Sequence, residues 1–588
     1  MIASHCLVTR SNAGRLLAVL VPVLLLGGGP VRAQEAGDDL PRVTRTHAIT
    51  NARIVQAPGR VIERGTVVLH DGLIIAVGTD VEIPFDAERI PGDSLVVYAG
   101  FLDGLSHAGI PKPKEEENQQ RPDDPGNPPD DYAGIQPQRD ARTLLKPDDK
   151  SVADLRAAGF GAALTVPHGR MLPGSGALIL LTGDDPDAMV LRGDVALFAQ
   201  FEGARGVYPA TPMGVMAKMR QLYREAERRH LIQQRYDADP AGLERPPYDD
   251  VHYAFFPVLE GKKPILFYTD EALETYRALR LQRDLGFPLM LAGLEQSFDQ
   301  IDLLKEAGVP LFFTLDLPKE PKKEAKAKQD SVEAAMAAQY DPTLRTATYR
   351  DLEAERRNLE ARRQESRARY LKNAAMLHEA GLRFGFSTMD VKPADIHKNL
   401  RLMIEHGLPE DAALAALTTD AAALLGVSAM LGTVEPGKIA NLVVTTKPYF
   451  DKDAKIKYVF VDGVKYEYDT KAKPKKNGEA ANPAGTWSYT ITSPMGEFDG
   501  TLTLEGTPGN LRGTLSSSQN PGALELRDVT LDGNELSFSF EAPGMPGTLT
   551  VVAVITGDAM EGTITVPGMG DAPFSATRTG GPDGRARS

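Results

Sequence analysis

Pro264-Ile265-Leu266-Phe267-Tyr268-Thr269-Asp270 is a short apolar run that passes directly into Asp270–Leu285, where apolar residues recur three and four apart with charges on the other face. The first pattern predicts a strand and the second an amphipathic helix. The same pair recurs outward from it. Pro288–Ala292 is followed by the helical stretch Ser297–Ala307 and then by the apolar run Val309–Leu315. Further candidate strands are Ala99–Leu105, Gly161–Val166 and Arg383–Thr388. Apolar strands alternating with longer helical stretches predict parallel βα units.

Both flanks of this region read as β structure. Over residues 43–97, Ile49–Val55 and Gly65–His70 are strand-like, and the turn pair Asp71-Gly72 leads into a return strand from Leu73 to Val77. After residue 430, Asn441–Val444 and Tyr458–Val461 are again strand-like, with a second turn at Asp462-Gly463. A polar linker at 469–484 separates these from a third unit at 485–579. There about eight strand-like segments recur every ten to twelve residues between Gly, Pro, Asn and Asp, the pattern of an up-and-down barrel or a sandwich. Trp487, the only tryptophan, is expected to cap or fill its core. Two insertions break the βα alternation. Pro111–Lys150 reads as a long loop, over the barrel mouth or as solvent-facing decoration, and Pro318–Tyr370 is highly charged, with a long solvated helix at Tyr349–Leu371. Pro173-Gly174-Ser175-Gly176 reads as a tight turn rather than a phosphate cradle.

The N-terminus has a different character. Arg10 and Arg15 precede the apolar run Leu16–Leu26, and Val31-Arg32-Ala33 supplies small residues on either side of a cleavage point. This predicts a signal peptide over 1–33 and a periplasmic or secreted protein. The run falls well short of the roughly 20 residues a membrane span requires. Cys6, the only cysteine, would leave with the signal, so the mature chain would hold neither disulfides nor a thiol nucleophile. At 588 residues the chain is too long for one core. A formal net charge of -14 argues against nucleic acid as a partner, because phosphate binding needs a cationic surface. The expected partner is a small-molecule substrate or ligand.

Three stretches carry a family resemblance. Ala99-Gly100-Phe101-Leu102-Asp103-Gly104-Leu105-Ser106-His107 is similar to the first barrel strand of the amidohydrolase superfamily, Pro-Gly-Phe-Ile-Asp-x-His-x-His. Thr418–Gly426, continuing through Leu431–Val444, resembles the stretch that closes the barrel there, with Asn441 where Asp is usual. Tyr208-Pro209, Met213-Gly214 and Met219-Arg220-Gln221 resemble the exported, imidazolonepropionase-like subgroup. The resemblance covers roughly 43–468. It implies a (β/α)8 TIM-type barrel over 98–430 and a composite β-sandwich built from 43–97 and 431–468.

The resemblance also implies a chemistry. Members hold one or two divalent metals, commonly zinc, at the C-terminal rim of the barrel, where the metal activates water and polarises a carbonyl. The usual ligands are two histidines on strand 1, often a bridging Lys or Glu on strand 4, and histidines on strands 5 and 6. A strand-8 aspartate handles the attacking water. Matched by position, the first strand-1 histidine falls on Leu105 and the second on His107. The strand-5 histidine falls on Tyr268 and the strand-6 position at or near Ala292-Gly293, while Asp390 matches the strand-8 aspartate. His107 is thus the candidate metal ligand and Asp390 the candidate catalytic residue, paired with it. His168, Tyr268 and Asp270 are candidate rim residues. The expected activity is hydrolysis of a non-peptide C–N bond, in a cyclic amide or dipeptide-like compound, by metal- or Asp390-activated water. With this ligand set a single divalent metal and a metal-free barrel are both open, and the alternative is an inactive binding or scaffold protein of the cell envelope.

Overall fold

The computed structural model describes residues 45–113, 122–319 and 347–470. In the C-terminal unit it describes 483–493, 496–507, 510–517, 520–532, 534–541, 548–566 and 570–580. The expected signal peptide, and most of the expected linker, lie outside the described residues.

Five strands precede the barrel: β1 (Thr46–Ala57), β2 (Arg60–His70), β3 (Leu73–Gly78), β4 (Glu88–Pro91) and β5 (Val96–Ala99). Eight form the barrel: β6 (Phe101–Ser106), β7 (Phe160–Thr165), β8 (Gly174–Leu180), β9 (Val190–Gln200), β10 (Ile265–Thr269), β11 (Leu289–Gly293), β12 (Leu311–Thr314) and β13 (Gly385–Ser387). Three follow it: β14 (Leu442–Thr445), β15 (Ile456–Val461) and β16 (Val464–Glu467).

The flanking strands share one sheet, in the order β16-β15-β14-β5-β1-β2-β3 with β4 also on β1. The joint is β5, parallel to β1 on one side and antiparallel to β14 on the other. The sheet curls until its ends meet, since the β2–β3 turn at Gly72 sits against Asp462 and Gly463 of the β15–β16 turn. Ile54, Leu69, Ile74, Leu442 and Phe460 then share one buried core. This is how the expected composite unit is built. Asn441 stands at its junction with the barrel: its backbone carbonyl accepts from Gly100 N–H, and its Oδ1 accepts from Asp462 N–H at 2.8 Å. An aspartate could accept the same bond, so asparagine keeps the contact without burying a charge.

The barrel closes, but it departs from (β/α)8. β8 runs antiparallel to both β7 and β9, whereas the other neighbours are parallel. The reason is connection length. Only residues 166–173 join β7 to β8 and 181–189 join β8 to β9, and a parallel return needs a crossover of a dozen residues or more. The segment Gly174-Ser175-Gly176, expected to be a turn, therefore begins a strand. With only the single helical turn Pro186–Met189 here, the outer face of these strands needs another cover, and the first insertion provides it. Ile135, Ala141 and Leu145 are buried in the same cluster as Ala177 and Ile179 of β8 and Leu197 of β9. Isolated bridges Ile135 to Leu172 and Asp140 to Ser175 fix the insertion in place. In its described part it is a core element rather than decoration.

Elsewhere helices cover the strands: α1 (Lys150–Ala157), α2 (Pro212–Ala238), α3 (Ala272–Leu285), α4 (Ile301–Ala307), α5 (Ala347–Glu379) and α6 (Pro393–Glu405). Residues 357–366 of α5 are exposed and rich in charge, and its last turns, from Leu371 to Leu377, pack into the core. His230, on α2, packs on Phe256 with ring centroids 4.5 Å apart. No described helix is long and apolar enough to cross a membrane.

The C-terminal unit is a sheet of nine antiparallel strands in up-and-down order, in which Gly485–Ser493 pairs with Gly570–Gly580. Its open edges are Asn520–Glu525 and Arg527–Asp532. Trp487, Tyr489, Phe538, Phe540 and Phe574 fill the interior, and the Trp487 indole N–H donates to Pro483 O.

Candidate functional site

Along the barrel strands side chains alternate between the helices and the lumen. The lumen positions form one apolar cluster that includes Leu105, Leu164, Val166, Phe198, Leu266, Met290, Ala292, Phe312 and Met389. Tyr268 packs against its edge. Of three positions that match the ligand histidines of the resemblance, Leu105 and Ala292 therefore belong to this apolar floor and Tyr268 stands at its edge. Phe312 reaches so far across that a Cβ on Gly104 would lie 1.8 Å from its ring.

His107, just past β6, has its Nδ1–H donated to Val166 O at 2.7 Å. Its ring stacks on His168, with centroids 3.7 Å apart, and His168 donates in turn from Nε2 to Ile110 O at 3.0 Å. The two histidines thus cross-link the loops that follow β6 and β7. Burial, with His168 alongside, pushes the His107 imidazole down to about 4, so it is neutral at physiological pH. Among the described residues no hydrogen bond or ion pair joins His107 to Asp390, so the expected pairing is replaced by another. The Tyr268 hydroxyl donates to Asp390 Oδ2 at 2.9 Å.

That bond belongs to an acidic arc. Asp270 follows β10, Glu295 follows β11, Asp316 follows β12 and Asp390 follows β13. Asp390 is exposed and the other three are partly buried. Burial raises the Asp270 carboxyl, and the charges of Asp390 and Asp316 add to it. Burial also raises Asp316, with Asp390 contributing. Glu295 is pushed up to about 7 by burial and by Asp270 and Asp316. The Tyr268 phenol is raised by burial and by Asp270 and Asp390. The backbone is held in unusual places along this arc. Asp390 has φ of 64° and Leu294 has φ of 61°, a region costly for a bulky side chain. Among the described residues no three His, Cys, Asp or Glu are grouped so as to hold a metal ion.

The expectation had placed Tyr268, Asp270 and Asp390 at the rim, and the structure brings these three together. His107 and His168 form a separate pair on the β6–β7 side. Glu295 and Asp316 were missed, although each lies within three residues of the end of an expected strand, the place where barrel rims carry their chemistry.

Glu295 gives a direct pH test. Its folded value lies above the 4.5 of a free glutamate, so the fold holds this proton more tightly than the unfolded chain does. The associated stability is complete below 4.5 and is lost as pH rises through about 7. Glu295→Gln keeps the neutral form at every pH. It is expected to stabilise the barrel by on the order of 1 kcal/mol at about pH 8, after discounting for solvent, and to change little near pH 4.5. Thermal unfolding at the two pH values measures the difference.

Residues 271–465 match the amidohydrolase family. The matched part holds the regular βα units after β10 and the returning strands of the sheet, whereas the antiparallel β8 lies outside it. An amidohydrolase from Thermotoga maritima shares the fold at 20 % identity and a TM-score of 0.55, covering 72 % of this chain and 100 % of its own. A prolidase solved with N-methylphosphonate-L-proline has 16 % identity and a TM-score of 0.41, over 72 % of this chain and 100 % of that one. A Xaa-Pro dipeptidase with bound methionine has 13 % identity and a TM-score of 0.39, with the same coverage. No curated protein matches the chain at a significant level.

Proposed function

We propose that this chain is an exported barrel protein of the amidohydrolase fold that works without the metal centre implied by the resemblance, and that it binds a cationic small molecule at the open, acidic half of its mouth. One observation carries this reading: of the positions where donors would be needed, Leu105 and Ala292 lie in the apolar floor, and Tyr268, at its edge, commits its hydroxyl to Asp390. A catalytic zinc needs three protein ligands. His107 donates from Nδ1 to a backbone carbonyl, which leaves Nε2 as a single imidazole donor, and Asp390 accepts from Tyr268, so the set falls short of three ligands. These residues do not fit a divalent metal of the family type.

The arc favours a cation for a physical reason. Asp270, Glu295 and Asp316 are each raised in part by a neighbouring negative charge, and a bound ammonium or guanidinium would relieve that repulsion. Binding should therefore release protons near neutral pH. The C-terminal unit, its interior filled by aromatic side chains, supports the barrel or docks it rather than holding a ligand. Export rests on the charged, apolar and small-residue pattern of the first 33 residues.

A second reading is favoured by Glu295, which burial and its acidic neighbours hold near 7 at the barrel rim. A carboxyl raised this far can serve as a general acid or base near neutral pH, so hydrolysis of a cyclic amide or dipeptide-like C–N bond would proceed here without metal. The test is elemental analysis of mature protein after incubation with Zn²⁺ and Mn²⁺. Calorimetry with 1,4-diaminobutane in buffers of different ionisation enthalpy, and an amide, lactam and dipeptide panel, complete it. Metal far below one equivalent, diamine binding with proton release, and no turnover are expected. A stoichiometric metal lost in His107→Ala would overturn the reading. Metal-free turnover abolished by both Glu295→Gln and Asp390→Asn would establish the second.

A further inference from the structure

Behind the acidic arc, two buried amides hold the loops that carry it. Asn373, on α5, is fully buried. Its Nδ2 hydrogens go to Leu294 O at 3.1 Å and Glu295 O at 2.9 Å, and its Oδ1 accepts from the Ser297 hydroxyl at 3.1 Å. One side chain thus satisfies three groups of a single turn. That turn contains the left-handed Leu294, and it is also tied to the end of β10, with Leu294 N–H on Thr269 O and Gln296 N–H on Asp270 O. One loop later the device recurs. Asn399, on α6 and 8 % exposed, donates from Nδ2 to Leu315 O at 2.8 Å, directly before Asp316. In both cases a helix that follows the loop sends an amide to the backbone beside a rim carboxyl.

An amide in such a place is costly unless bonded, and an apolar residue would pack there without that cost. We infer that Asn373 and Asn399 are positioning residues, which fix where the carboxyls of Glu295 and Asp316 stand relative to Asp270 and Asp390. Without Asn373, the Leu294–Ser297 turn loses the bonds that hold Leu294 in its strained geometry, and it relaxes outward. Glu295 then gains water and distance from its neighbours, and its affinity for a proton falls. The inference rests on the acidic mouth being the working site, yet it can be tested separately from that reading.

The experiment is carboxyl-¹³C NMR titration of full-length protein labelled at glutamate and aspartate, with Glu295→Gln and Asp316→Asn to assign the two resonances. Asn373→Ala is expected to lower the Glu295 midpoint by about one pH unit or more and leave Asp316 nearly in place. Asn399→Ala should do the reverse. Asn373→Ser, which keeps a hydroxyl donor, should restore part of the shift. A purely structural role predicts lower Tm in both alanine variants with both midpoints unmoved, and that result overturns the inference. If Asn373→Ala does not fold, Asn373→Ser and Asn399→Ala decide it by the same criterion. Midpoints that move as expected in a protein that binds no diamine would uphold the positioning role and reject the ligand.

Discussion

Asp103→Ala is expected to destabilise the barrel by about 3–5 kcal/mol. Asp103 is fully buried on β6, and burial raises its carboxyl to about 6 despite the hydrogen bonds it accepts. Oδ1 accepts from Thr388 N–H at 2.8 Å and Leu105 N–H at 3.2 Å, and Oδ2 accepts from the Thr388 hydroxyl at 2.6 Å. The position matters because the barrel closes here with little backbone help. β13 and β6 register only at Phe386 and Asp103, and the remaining stitches are side chains: this carboxyl and the Ser387 hydroxyl, which donates to Leu105 O. Alanine would strand two buried N–H groups at the seam. Asp103→Asn keeps one acceptor oxygen and removes a buried charge, so its loss should be about 1 kcal/mol or less. The sign with pH follows from the raised value. The contribution of the protonated form is present below 3.8 and declines as pH rises through about 6, so the asparagine variant gains on wild type over that interval. Equal stability of wild type and Asp103→Ala in urea would remove the seam argument.

Gly104→Ala should be as damaging for an opposite reason. The new methyl would lie 1.8 Å from Cδ1 and 2.4 Å from Cγ of Phe312, which is itself fully buried. Overpacking of this severity is expected to cost about 3 kcal/mol or more. Shrinking the obstacle should rescue it. Gly104→Ala with Phe312→Ala is expected to be at least about 1 kcal/mol more stable than the sum of the single losses. Additive losses would mean that Phe312 does not press on β6. The probe must be chosen with care, because Trp487 is the only tryptophan and lies in the C-terminal unit. Its fluorescence reports that unit alone, whereas helical ellipticity reports the barrel, since the described residues after 482 contain no helix. The barrel mutants should shift only the second transition.

Much of the architecture was legible because strand and helix periods differ. Pro264–Tyr268 and Pro288–Ala292 overlap the observed strands β10 and β11 to within one residue at each end, and Val309–Leu315 contains β12. What stayed hidden were β8 and β9, which were not among the expected strands, and with them the direction of β8. Nothing in Leu178–Leu181 distinguishes a strand running up from one running down, and the information lay instead in the short connections on either side. The site was legible in part for a related reason. Motif positions pointed to Tyr268 and Asp390, but the bond between them depends on barrel closure. The partial burial and mutual repulsion that raise Glu295 arise only when the ends of β10, β11 and β12 come together.

The curled sheet has a consequence for how the chain is made. The Thr445 hydroxyl donates to Val96 O across 349 residues of sequence. On a chain synthesised from its N-terminus, β1–β5 emerge long before β14 exists, and the free edge of β5 must wait while the whole barrel is made. An exposed strand edge is a template for pairing with other chains. Completion of the sheet is thus a late, entropically slow event that follows delivery of the barrel's last strand and helices. Truncation anywhere between β6 and β14 would leave the edge open, so shortened products should aggregate through residues 96–99 rather than persist as soluble fragments.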